Sequence, residues 1–167
     1  MTYNSKRILL CIDDSESSKH AVDYVAGLAR GDDRFVINVF HAVGPVPMEL
    51  REFSGAENPK TEEYLDSELQ QKQDDWARMA KSEARPLIEN ARLQLSAVGI
   101  PTSTVTTLLL KHGEDLVSEI LRTASGNRCG TIVVGQSSFP WFKELFASHT
   151  GEELLKQSEG FVVCVVQ

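Results

Sequence analysis

Short runs of uninterrupted apolar residues alternate along this chain with longer stretches in which apolar positions recur every three or four residues. The first run, Arg7 to Asp13 (RILLCID), has the length of a buried strand. Asp14 and Ser15 follow as N-cap candidates, and Ala21, Val22, Val25, Leu28 and Ala29 then recur at helical spacing. Gly31-Asp32-Asp33 marks a turn into Phe35 to Ala42 (FVINVFHA), a second strand. Residues 44–60 are rich in Pro and Gly and read as a long loop. From Thr61 to about Val98 the pattern is a polar, acidic helix, with Tyr64, Leu65, Leu69, Trp76, Met79 and Ala80 expected on its inner face. Pro86 is expected to kink or divide that helix, and Gly99 to stop it.

The second half repeats the alternation. Thr102 to Leu110 (TSTVTTLLL) is β-branched and strand-like. His112-Gly113 leads into a helix with Leu116, Val117, Ile120, Leu121 and Ala124 on one face, and Thr131 to Gly135 (TIVVG) is another buried-looking strand. A Ser-rich segment, a short helix and the apolar Phe161 to Val166 complete a β-α-β-α-β-α-β-α-β order. Strands apolar on both faces, separated by amphipathic helices, predict a parallel sheet with right-handed crossovers. The expectation is an α/β fold: one three-layer, Rossmann-like domain over 1–167, with five mostly parallel strands in the order 3-2-1-4-5. Open sheets of this kind take ligands beyond the carboxyl ends of their strands, which here are Asp13, His41, Ala42, Lys111, His112 and Gly135.

Composition narrows the function classes. With 167 residues, 41% apolar and 25% charged, the chain suits one globular domain. No apolar run is long enough to span a bilayer, and the start of the chain lacks a signal-peptide layout, so a cytoplasmic location is expected. A net charge of −7 without a Lys/Arg cluster argues against nucleic acid or an anionic membrane as partner. Cys11, Cys129 and Cys164 match no disulfide framework or zinc spacing and read as buried free thiols. No metal site is expected from His41, His112 and His149, and no nucleophile setting surrounds Ser15, Ser17 and Ser18, so catalysis is not expected. The pair Asp13 and Asp14 lacks the further aspartate and lysine that phosphoacceptor chemistry needs, and reads as a strand-end carboxylate beside a helix cap.

The most informative segment follows Gly135. An apolar strand that stops at a glycine and gives way to small hydroxyl residues and a helix is a common anion pocket, because backbone N–H groups can face a phosphate. With ILLCIDDSESS, VFHAV and the HGED turn, TIVVG and its Ser-rich loop resemble the universal stress protein family over nearly the whole chain. The resemblance implies an adenine-nucleotide pocket using Asp13, with Ala42 beside the base, and a phosphate motif G-x2-G-x9-G-[S/T]. Laid on this chain, the motif begins at Gly135 and places Ser138 and Ser148 at its other glycines, His149 at its hydroxyl position and Thr150 beyond it. A serine forced into the left-handed region costs roughly 1–2 kcal/mol and occupies room at the phosphates. These departures predict a weakened or absent triphosphate site.

Two further features concern partners. Phe139, Trp141, Phe142 and Phe146 interrupt the phosphate loop. With Ser138 as cap and Pro140 in the first turn a short helix is expected at 139–147, its aromatic face covering the core, binding a protein partner or closing over a small ligand. Phe161 to Val166 is apolar on both faces, and an edge strand of that kind needs cover. The resemblance implies that it pairs with its copy in a homodimer. The expected function is a cytoplasmic, non-enzymatic, homodimeric regulatory or interaction module in the stress response. The alternative is an adenine-nucleotide switch with ATP or AMP across Asp13, Ala42 and 135–150.

Overall fold

Among the described residues, each apolar run becomes a strand and each helical period a helix. The structure, a computed structural model, describes residues 4–43, 47–50, 59–102, 105–111, 116–136 and 160–167. Its strands are β1 (Asn4–Cys11), β2 (Val36–Val43), β3 (Val105–Lys111), β4 (Cys129–Gly135) and β5 (Val162–Val166). They form one sheet in the order β3-β2-β1-β4-β5, every neighbouring pair parallel, as the alternation predicts. The helices are α1 (Glu16–Ala29), α2 (Pro59–Ala97) and α3 (Leu116–Gly126).

Period-two alternation within the strands divides the core into two layers. Ile8, Leu10, Ile37, Val39 and Val133 face α1 and α2, meeting Ala21, Val22 and Val25 from the one and Ala84, Ile88, Ala91 and Leu95 from the other. Leu9, Cys11, Phe40, Ile132 and Val134 face the opposite way, toward Ile120 and Ala124 of α3. Central strands buried on both faces explain why the runs are continuous rather than alternating.

The helix ends follow local chemistry. Ser15 caps α1, its side chain accepting from the Ser18 N–H. Gly99 ends α2 at φ +87, a conformation that suits a residue without Cβ, while Ile100 N–H donates to Leu95 O at 3.3 Å.

Several expectations change. α2 runs unbroken through Pro86 rather than dividing there. Pro86 and Ser82 are both exposed, so the carbonyl that loses its helical partner can turn to water. Met79 is 58% exposed and does not face inward, since the buried line of α2 passes through Leu69, Ala77, Ala84, Ile88, Ala91 and Leu95. Leu28 is likewise 47% exposed. Within the expected loop at 44–60, Met48–Leu50 forms one 3-10 turn, and Gln73 Nε2 donates to Leu50 O at 2.6 Å, tying it to α2. The expected helix at 139–147 lies outside the described residues. Among those described, no helix is long and apolar enough to cross a membrane.

Candidate functional site

The strand order reverses between β1 and β4, the place where open parallel sheets leave a crevice at their carboxyl ends. Three expected site residues gather there. Cys11 pairs with Phe40, so Asp13 and Ala42 stand two residues further along adjacent strands. Leu10 pairs with Val133, which puts Gly135 level with Ile12 on the other side of β1. Ser138, Ser148, His149 and Thr150 lie outside the described residues, as do His112 and Phe139 to Phe146.

Asp13 is held by the start of α1. Its Oδ1 accepts from Ser15 N–H at 2.9 Å and from the Ser15 hydroxyl at 2.6 Å, an Asx turn that leads the chain into the helix. Its own N–H donates to Ser18 Oγ at 2.9 Å. Beside it, His41 Nδ1 lies 2.9 Å from Ile12 O. A carbonyl only accepts, so His41 Nδ1 is the donor in this contact.

Asp13, Asp14 and His41 line a crevice of about 430 Å³ whose far wall is Ala80, Glu83, Ala84, Pro86 and Leu87 of α2. Asp13 and Leu87 also border a second hollow of about 190 Å³ that reaches Lys19, Asn90 and Gln94. Three carboxylates in the larger lining make it a poor seat for a polyphosphate. Acceptor groups of this kind suit hydroxyl and amino donors, and the larger volume falls within the range of small-ligand sites. Lys19 pairs with Glu16 one turn away.

Ala42 and Gly135 do not border this crevice among the described lining residues. Ala42 packs instead with the cluster on the α3 side. Gly135 is buried, and the next amide, Gln136 N–H, donates to Val166 O at 2.7 Å. That N–H serves the β4–β5 pairing and not an incoming phosphate. Glu83 and Leu87 join the site unannounced, because their helical spacing marks a face of α2 without showing which strand ends it covers.

The thiols separate by environment. Burial pushes Cys11 and Cys129 above the ordinary thiol range, Cys129 against the opposing pull of Arg7 and the Asn38 amide. Cys164 is half-buried. Among the described residues, no group of three or more His, Cys, Asp or Glu side chains is placed to hold a metal ion.

The fold has counterparts among solved structures. A universal stress protein family structure from Burkholderia pseudomallei aligns with 97% of this chain and 96% of its own, at a TM-score of 0.59 and 19% identity. An Archaeoglobus fulgidus universal stress protein solved in complex with dAMP aligns over 100% of both chains, at 0.58 and 14% identity. A universal stress protein in complex with cAMP aligns over 100% of this chain and 98% of its own, at 0.59 and 13% identity. At such identities the likeness concerns the fold. No curated protein matches the sequence. The family model for the universal stress protein family matches residues 4–165, and the chain belongs to that family.

Proposed function

We propose that this protein is a cytoplasmic, non-enzymatic regulatory or interaction module of the stress response that works as a homodimer, with a nucleotide site too altered for close triphosphate binding. The observation that carries the reading is the β5 edge. Among the described residues β5 pairs with β4 on one side only, and Val162 and Val163 are 59% and 39% exposed. An apolar strand with one unpaired edge needs a partner, and a copy of itself supplies a self-complementary one. Val163→Lys is expected to leave monomer or insoluble protein in sedimentation velocity. A soluble, unchanged dimer would refute this placement of the interface.

The degenerate site is argued from Ser138, Ser148 and His149, which stand at two glycines and the hydroxyl of the family motif. The acidic lining of the described crevice points the same way. A second reading, adenine mononucleotide binding, is favoured by the volume at Asp13 and by the two neighbours solved with dAMP and cAMP, each with a single phosphate. Calorimetric titration of ATP and AMP with magnesium separates the readings. No heat of binding from either supports the first. Micromolar AMP without ATP binding supports the second, and micromolar ATP binding overturns the degenerate-site claim.

A further inference from the structure

The edge of β5 away from β4, unpaired among the described residues, has a definite hydrogen-bonding parity. Gln136 N–H donates to Val166 O, so the peptide groups of Val166 point toward β4. Alternation along a strand then turns Cys164 and Val162 toward β4 as well, and Val163 and Val165 outward. A two-fold dimer can extend the sheet at this edge only by antiparallel pairing. Opposed residues must then both face the partner or both face away, so the axis passes through a residue and never between two. An axis through Val163 or Val165 overlaps only three residues of the five-residue strand, whereas an axis through Cys164 overlaps all five.

The side chains obey the same symmetry. Val162-Val163-Cys164-Val165-Val166 reads identically in both directions, so pairing about Cys164 sets valine against valine throughout. The exposed surface beside it is apolar. Among the described residues six large apolar side chains are exposed, and four of them, Tyr24, Leu28, Val162 and Val163, belong to β5 and the helix beside it. His20 Nδ1 meets Gln167 O at 3.0 Å and Tyr24 lies beside Cys164, which places Leu28, one turn on, at the level of Val162. A second copy would cover all four.

We propose that two copies of this chain pair β5 antiparallel about a two-fold axis through Cys164, so that the two Cys164 thiols face each other and a disulfide oxidant can join the subunits covalently. The inference rests on the homodimer reading and adds its register. Cys164 occupies a non-hydrogen-bonded position of the new ladder, where opposed Cα atoms approach to about 4.5 Å. Disulfides span Cα separations of roughly 4.4–6.8 Å. With oxidised glutathione, one Cys164 thiolate attacks a glutathione sulfur, forms a mixed disulfide and releases one glutathione thiolate. The partner's Cys164 thiolate then attacks the Cys164 sulfur of that mixed disulfide, the second glutathione leaves, and two electrons have passed to the oxidant. Cys11 and Cys129 are buried in the core and take no part.

The test treats the full chain with oxidised glutathione and reads non-reducing electrophoresis, peptide mass and sedimentation velocity. The expected product is a dithiothreitol-reversible dimer linked Cys164 to Cys164. Cys164→Ser is expected to lose the link and remain a non-covalent dimer. Val163→Pro removes an outward N–H that β4 does not use, so the subunit keeps its fold and links on the order of a hundredfold more slowly, having lost the millimolar effective thiol concentration of a paired strand. A reduced dimer that Val163→Pro dissociates, yet which yields only glutathionylated subunits, overturns the register and leaves the β5 dimer standing. A link that survives Cys164→Ser also overturns it. A monomer before oxidation overturns both.

Discussion

Asp32 holds two cations at the amino-terminal end of the sheet: Lys6 Nζ at 2.6 Å, and Arg34 through Nε at 2.8 Å and Nη2 at 2.9 Å. Hydrogen bonds first from Arg34 and then from Lys6 keep its carboxyl well below the ordinary carboxylate range. A carboxyl depressed in the folded state stabilises above its unfolded pKa, and that stability fades as pH falls toward the folded value. Asp32→Asn is therefore expected to lower the urea midpoint at pH 7, with the gap to wild type shrinking below about pH 4. An equal gap at pH 7 and pH 3 would show that the ion pairs do not act in this way. Residue chemistry of this local kind was readable in advance. Ser15 announced its cap, because an N-cap needs only its own turn. Asp13 was readable as a strand end for the same reason, whereas Leu28, which shares the helical spacing of Val22 and Val25, is exposed. Helical spacing identifies a face but not the point where the neighbouring element stops covering it.

Elements met at close range carry the next level of constraint. Gly130 in β4 lies so near β1 that a Cβ there would stand 2.6 Å from the Asn4 carbonyl carbon and oxygen and 2.7 Å from Ser5 N. All three are backbone atoms, beside the register shift between Asn4 and Ile8, and cannot rotate away. Gly130→Ala is expected to destabilise by about 1–3 kcal/mol, as overpacked sites do, in thermal or urea unfolding. A neutral substitution would mean that β1 can slide away from β4. α2 shows how far pattern carries an element. Its 39 residues rise roughly 58 Å, far more than the sheet it covers, and among its described side chains the buried members of the main core layer run from Ala84 to Leu95. Its existence and its stop at Gly99 were legible. Its continuity through Pro86 was not, since that depends on an exposed carbonyl. Nor was the wall that Glu83 and Leu87 give the crevice, since that depends on where a distant helix crosses the strand ends.

At the scale of the whole molecule, the parallel sheet followed from the βα alternation, and the position of Asp13, Ala42 and Gly135 on three adjacent strand ends followed from the expected strand order, which the structure has. Their division between two faces did not, because parity beyond a strand's end depends on how the chain leaves it. Ala42 turned to the α3 side while Asp13 lined the crevice under α2. The exposed β5 edge was legible as an apolar run, and its outward groups emerged only from the Gln136 to Val166 hydrogen bond. The account stands on that edge pairing with its own copy. Sedimentation velocity of the reduced wild-type chain beside Val163→Pro tests it most directly. It predicts a wild-type dimer, and a monomeric variant with the same far-ultraviolet circular dichroism. A wild-type monomer, or a Val163→Pro dimer as tight as wild type, would contradict it.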